Sequence, residues 1–178
     1  APEISRKAQA AMHVVLVYPR WDYPTFGQLQ EPLGLLHIGA MLEAHGHSVQ
    51  FFDLAVDAIE AVDAAVAHAG LVGISSSTVL FGRAARVLDR IKQAHPDLPV
   101  VIGGPQATLM TDEAVMRGFD AAVIAEGEYT IVDLVRALEK GTPLYEVAGA
   151  AARKGDGVAY GPSRSFEPDL DVFPDADR

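Results

Sequence analysis

The chain has 178 residues, no cysteine and a formal net charge of −10. That length suits one α/β domain with a small appendage, and its 49% hydrophobic and 21% charged residues describe a globular chain able to bury a core. The missing cysteines exclude a disulfide scaffold, a thiolate zinc site, a cysteine nucleophile and a cysteine-held iron–sulfur cluster within this sequence. The acidic balance argues against a nucleic-acid partner, since phosphate backbones require clustered Lys and Arg. No apolar run reaches the roughly 18 residues of a membrane span, and no signal-peptide core opens the chain, so the expected location is the cytoplasm.

Residues 1–11 are polar and alanine-rich and read as an N-terminal arm. Five short apolar runs follow, at Val14 to Tyr18, Val49 to Phe52, Leu71 to Ser75, Pro99 to Ile102 and Ala121 to Ile124. Continuous β-branched runs with little alternation suit strands buried on both faces, as in a parallel sheet. The intervals carry helical periods. Pro32 can open a first helix that Gly46 caps. Ile59, Val62 and Val66 form the stripe of a second, and Ala84, Leu88 and Ile91 that of a third, which Pro96 ends. Thr111 or Asp112 can cap a short fourth. Ile131, Leu134, Val135 and Leu138 follow i, i+3, i+4, i+7, and Gly141 and Pro143 stop that helix. The repeats predict a flavodoxin-like (Rossmann-like) five-stranded parallel sheet over residues 12–142, with strand order 2-1-3-4-5.

Within residues 143–165, Val147 to Ala152 and Val158 to Tyr160 flank Lys154-Gly155-Asp156-Gly157, which predicts a C-terminal β-hairpin. Residues 166–178 hold Glu167, Asp169, Asp171, Asp175 and Asp177 against Arg178 alone, with Pro168 and Pro174. That is the composition of a solvated, acidic linker.

Ligands of open α/β sheets bind outside the carboxyl ends of the strands, so the loops there carry the functional information. The long first loop holds Trp21, Tyr23 and Phe26, which either pack on one another or cover a flat apolar ligand. After the third strand, Ser75-Ser76-Ser77-Thr78 offers uncharged donors and acceptors, or simply a helix cap. Gly103-Gly104-Pro105-Gln106 allows close approach to the backbone, or is only a turn. In Glu126-Gly127-Glu128, Glu128 suits a helix start on dipole grounds alone.

Other signals are weak. The sequence has neither a Gly-x-x-x-x-Gly-Lys phosphate loop nor a Gly-x-Gly-x-x-Gly fingerprint. His45-Gly46-His47 reads as a helix end rather than a metal site. His37 lies within a helix, Asp53 ends a strand, and Arg83, Arg86 and Arg90 form a solvated stripe or an interface. No Ser–His–Asp set can be assembled from spacing.

Taken together, the loops resemble the N-terminal cobalamin-binding domain of cobalamin-dependent radical S-adenosylmethionine enzymes. The matching pieces, spread over about residues 12–178, are Val14 to Pro19, Glu31-Pro32-Leu33-Gly34-Leu35-Leu36, Glu43 to Val49, Val72 to Thr78, Gly103 to Thr108, Glu126-Gly127-Glu128 and the Leu170 to Arg178 tail. The resemblance implies a corrinoid ring across the carboxyl ends of the strands, with its nucleotide tail in a slot beside the sheet. It implies cofactor contacts from Leu33, Gly34, Ser75, Ser76, Ser77, Thr78, Val79, Gly103, Gly104, Pro105, Gln106, Gly127 and Glu128. Cobalamin domains more widely carry Asp-x-His-x-x-Gly after the first strand, whose histidine ligates cobalt. The corresponding loop here has no histidine, so no protein ligand to cobalt is expected, and the lower face is expected to meet Val79, Leu80 or the first loop. The family's radical domain holds a 4Fe-4S cluster and S-adenosylmethionine through Cys-x-x-x-Cys-x-x-Cys. This chain lacks that motif and is expected to be the cofactor-holding part of a longer methyltransferase or cyclase, with a radical domain in the same polypeptide as its partner. Two alternatives stand beside this reading: a sensor or interaction module that has lost the cofactor, and a flavin carrier.

Overall fold

A computed structural model describes residues 11–19 and 32–176. Its centre is a seven-stranded sheet of order β2-β1-β3-β4-β5-β6-β7. The strands are β1 (His13–Tyr18), β2 (Ser48–Asp53), β3 (Leu71–Ser75), β4 (Val100–Gly103), β5 (Ala121–Val123), β6 (Ala150–Lys154) and β7 (Gly157–Tyr160). β1 to β5 pair in parallel, and β6 and β7 join antiparallel. The order reverses beside β1, which carries β2 on one flank and β3 on the other. The predicted fold class and order are therefore observed, with the hairpin continuing the sheet at its edge.

The hairpin closes as its sequence predicts. Lys154 pairs with Gly157, leaving Gly155, at φ 60°, and Asp156 as a two-residue turn. Tyr160 Oη donates to Asp112 Oδ1 at 2.6 Å, tying the hairpin to a neighbouring helix.

Among the described residues six α-helices cover the two faces: α1 (Leu33–Ala44), α2 (Ile59–Val66), α3 (Phe81–Ala94), α4 (Pro105–Leu109), α5 (Thr111–Arg117) and α6 (Glu128–Lys140). Alternation along the strands sorts the core. Val15, Val17, Val72, Ile74, Val100 and Ile102 meet α2, α3, α4 and α5 on one face. Val14, Leu16, Leu71, Val101 and Val123 meet α1 and α6 on the other. Gly46 (φ 86°) follows α1 and Gly141 (φ 65°) caps α6, the left-handed positions glycine supplies.

Two local expectations are corrected. Thr111 does not cap α5: it is the first helical residue after Met110, and its hydroxyl donates to Ala107 O at 2.7 Å. The stretch after Gly104 is not an open loop either. Pro105 sits at the first position of α4, where its missing N–H costs nothing.

Candidate cofactor slot

The sheet face under α1 and α6 loses its side chains where the strands end. Leu16, Gly73 and Val101 lie in register across β1, β3 and β4, and Ser75 and Gly103 pair two residues further on. Gly73 and Gly103 thus lie diagonally on neighbouring strands of one face. A β-carbon on Gly73 would approach Leu16 Cδ2 to 2.8 Å. One on Gly103 would meet only Val123 Cβ, at 3.9 Å, so its missing side chain is open space. Opposite, a β-carbon on Gly127 would lie 3.0 Å from Ile38 Cδ1 and 3.2 Å from Val123 Cγ1. These glycines line a slot of about 360 Å³ between the sheet and the α1–α6 pair. Apart from its glycines its wall is mostly apolar, from Leu16, Ile38, Val101, Val123 and Ile131, with Ser75, Glu126 and Glu128 as the polar lining.

Backbone hydrogen bonds tie the three loops at its mouth together. Ser76 N donates to Gly103 O at 2.9 Å, and Gln106 N donates to Ser76 O at 3.0 Å. The Thr108 hydroxyl donates to Gly104 O at 3.2 Å and accepts from Ala125 N at 2.9 Å. Ala125 is the described non-glycine residue with positive φ, at 60°, and this bond helps hold it there. The rim is therefore preorganised rather than loose.

The chain after β7 closes one side. Phe166 lines the slot. Glu167 N donates to Glu126 Oε2 at 3.1 Å, and Tyr129 Oη donates to Glu167 Oε2 at 3.3 Å. Arg164 pairs with Asp133 on α6, and Tyr129 packs on Phe173 with ring centroids 5.3 Å apart.

Of the residues singled out in the sequence, Gly34, Ser75, Gly103, Gly104, Gly127 and Glu128 come together around the slot. Leu33 and Val79 stand exposed at 51% and 75%, on the rim at the carboxyl end of the sheet. Leu80 is turned into the fold at 5%, so of the pair only Val79 is presented. Ser77, Thr78 and Pro105 lie outside the slot lining, and the Ser76 hydroxyl is buried and donates to Ser77 O. The Gln106 side chain is also buried and donates to Glu113 Oε2 at 2.8 Å, toward α5. Trp21, Tyr23 and Phe26 lie outside the described residues. The sequence carries no binding signal for Ile38, Ile131, Ala125 or Phe166, which also line the slot. The first two are indistinguishable in sequence from core positions, and Phe166 sits in a stretch whose composition suggests only a linker.

The remaining candidates have structural occupations. His45 Nδ1 bonds Met41 O at 2.8 Å, and His47 Nδ1 accepts from Met12 N at 3.2 Å. Burial holds the His47 imidazole below its ordinary pKa. Asp53 Oδ1 accepts from Ala55 N at 3.0 Å in the turn after β2. Arg90 bonds Asp63 Oδ1 at 2.9 Å, joining α3 to α2. The described residues contain no group of three or more His, Cys, Asp or Glu placed to hold a metal. No helix among them is long and apolar enough to cross a membrane.

An α/β domain of this order, with a preformed apolar slot at the strand ends beside the switch in order, is a cofactor-binding domain of the Rossmann-like class. The chain belongs to the B12-binding domain family, whose model matches residues 24–135. An uncharacterized methyltransferase of Pyrococcus horikoshii is 30% identical over 173 residues, covering 92% of this chain and 37% of that protein. The anaerobic magnesium-protoporphyrin IX monomethyl ester cyclase of Synechocystis is 31% identical over 150 residues, covering 80% of this chain and 30% of that one. The chain therefore spans about a third of the length of these curated relatives. Two solved structures share the fold. TsrM of Kitasatospora setae, a radical S-adenosylmethionine methyltransferase with cobalamin and a 4Fe-4S cluster bound, superposes with a TM-score of 0.73 at 22% identity, over 92% of this chain and 31% of that one. OxsB, a cobalamin-dependent S-adenosylmethionine radical enzyme with aqua-cobalamin bound, gives 0.75 at 21%, over 88% and 23%.

Proposed function

We propose that this domain binds cobalamin with its nucleotide base detached from cobalt and no histidine in its place, and presents the corrin ring to a radical S-adenosylmethionine domain. The observation that carries the reading is the slot itself, lined by Gly73, Gly103 and Gly127, with open space where Gly103 lacks a side chain. Its apolar walls suit a flat aromatic base, whose burial contributes about 25 cal/mol per Å² of apolar surface. The fit has a second mark: Glu128 Oε2 is buried at the slot without a hydrogen-bond partner.

Residue placement supports the absence of a protein ligand to cobalt. His13 begins β1, and His47, His68 and His95 precede β2, β3 and β4, at the amino ends of the strands. His45 is at the same end, and His37, within α1, is not among the slot residues. The ring's side of the sheet instead offers the exposed apolar side chains Leu33, Val79 and Phe166. Exposed apolar side chains at that end suit a broad ligand that covers them.

In this reading residues 12–142 hold the cofactor, residues 143–165 extend the sheet edge, and residues 166–178 lead toward the radical domain. Bound cobalamin supplies a cobalt centre able to carry a methyl group. The chain's residues seat the tail, shield the ring and keep nitrogen donors away from the metal. The longer enzyme would use 4Fe-4S and S-adenosylmethionine chemistry for methyl transfer or a related radical reaction.

Titration of the chain with hydroxocobalamin, followed in the visible spectrum, tests this. A saturable shift to a base-off spectrum is expected, retained in Arg86→Ala, which lies on α3 against the opposite face of the sheet. Absence of binding, or an unchanged base-on spectrum, would overturn it.

A further inference from the structure

Glu128 is an anomaly in the slot. Its Oε2 is sealed from solvent and has no hydrogen-bond partner, although the surrounding wall is apolar. An unpaired buried carboxylate oxygen is costly. Three neighbouring polar groups are engaged elsewhere: Glu126 Oε2 receives Glu167 N, Thr130 Oγ1 donates to Ala148 O, and Tyr129 Oη donates to Glu167. A helix-start carboxylate gains from the α6 dipole, but that attraction does not satisfy a particular lone pair.

We propose that Glu128 selects the ligand segment entering the slot by accepting a hydrogen bond from a hydroxyl or amino N–H on that segment. The inference rests on the cobalamin reading and deepens it. A carboxylate repels a phosphate, so the sugar or base, rather than the phosphodiester, lies against Glu128. Two sources carry the required donor: the ribose hydroxyl present in every cobamide nucleotide, and the exocyclic amine of a purine base. A dimethylbenzimidazole ring bound through its sugar nitrogen offers no N–H, so with that base the donor is the ribose.

The test titrates the whole chain, Glu128→Ala and Glu128→Gln with three probes. These are aquacobinamide, which has no nucleotide, hydroxocobalamin, and the adenine-containing cobamide. Loss of a hydrogen bond to a charged acceptor predicts about 10- to 100-fold weaker binding of the tail-bearing probes by Glu128→Ala. Cobinamide affinity should change less than twofold. Equal losses for the two tail-bearing probes support the ribose hydroxyl, and a loss larger for the adenine probe supports the base amine.

Thermal melting without ligand separates recognition from structure. Glu128→Gln should melt within a few degrees of the wild type while binding the tail-bearing probes more weakly, because a neutral amide oxygen is a poorer acceptor than a carboxylate. Cobalamin binding within twofold of wild type in Glu128→Ala, or an equal loss for cobinamide, overturns the proposal. If the wild type takes none of the three probes, the cobalamin reading falls with it; if it binds them and Glu128 has no effect, only the present inference falls.

Discussion

Gly104 packs against the Ser76 carbonyl so closely that a β-carbon on it would lie 2.9 Å from the oxygen. The Gln106 amide donates to that same oxygen at 3.0 Å. Gly104 has φ 88° and ψ −171°, a region open essentially to glycine alone. The contact locks the loop after β3 to the start of α4 and so sets the rim of the slot. Gly104→Ala should therefore cost about 2 kcal/mol or more in chemical denaturation. Gly82 lies on the exposed side of α3, where an added β-carbon would meet nothing within 4 Å. Gly82→Ala should be neutral or stabilising by up to about 1 kcal/mol. Equal effects at the two sites would refute this account of the rim.

Gly103 separates binding from folding. Its β-carbon position faces open slot rather than a neighbour, with Val123 Cβ at 3.9 Å. Gly103→Leu should leave stability within about 1 kcal/mol of wild type, because the added methyl groups enter a cavity. It should weaken cobalamin binding at least 10-fold by occupying the place of the nucleotide tail. Unchanged cobalamin affinity in a folded Gly103→Leu protein would place the tail elsewhere.

Much of this arrangement is legible in the sequence, for identifiable reasons. The β-branched runs of β1 and β3 are buried on both faces, so their pattern is unmistakable, and Lys154-Gly155-Asp156-Gly157 carries its own turn chemistry. α4 is not legible, because five residues beginning Pro105-Gln106 supply too little periodicity beside two glycines. The far wall of the slot is hidden for another reason. Leu16, Ile38 and Ile131 look like core residues, yet they line the slot, which continues into the open space at Gly103. Ala125 has no sequence signal for its positive φ; its hydrogen bond from N to Thr108 is a tertiary contact.

His47 predicts a pH dependence. It is buried at 5% exposure, and its Nδ1 accepts the Met12 amide, which requires an unprotonated nitrogen. Burial lowers its pKa in the folded state. The unfolded chain then binds the proton more readily, so the contribution of His47 is complete above its ordinary value of about 6.5 and declines as pH falls toward the lowered one. Urea midpoints measured from pH 8 to pH 5 should fall more steeply for wild type than for His47→Asn. Parallel curves would remove His47 from the explanation.

Arg164 holds the segment after β7 against α6 through Asp133 and against the stretch before β6 through Ala148 O. Arg164→Ala leaves Asp133 paired with Arg136 at 3.1 Å, so global stability should fall by only about 1 kcal/mol. Limited proteolysis within residues 161–176 should nevertheless become several-fold faster, since local opening is governed by local contacts. An unchanged cleavage rate would show that Tyr129, Phe173 and Glu167 suffice to hold it.

The central claim is that this domain holds cobalamin with neither its own base nor a histidine on cobalt. Electron spin resonance of the saturated cob(II)alamin complex tests it most directly. Cobalt hyperfine lines without nitrogen superhyperfine splitting are expected. A resolved three-line nitrogen splitting would contradict the claim, by showing an axial nitrogen that the five histidines at the amino ends of the strands are placed too far away to supply.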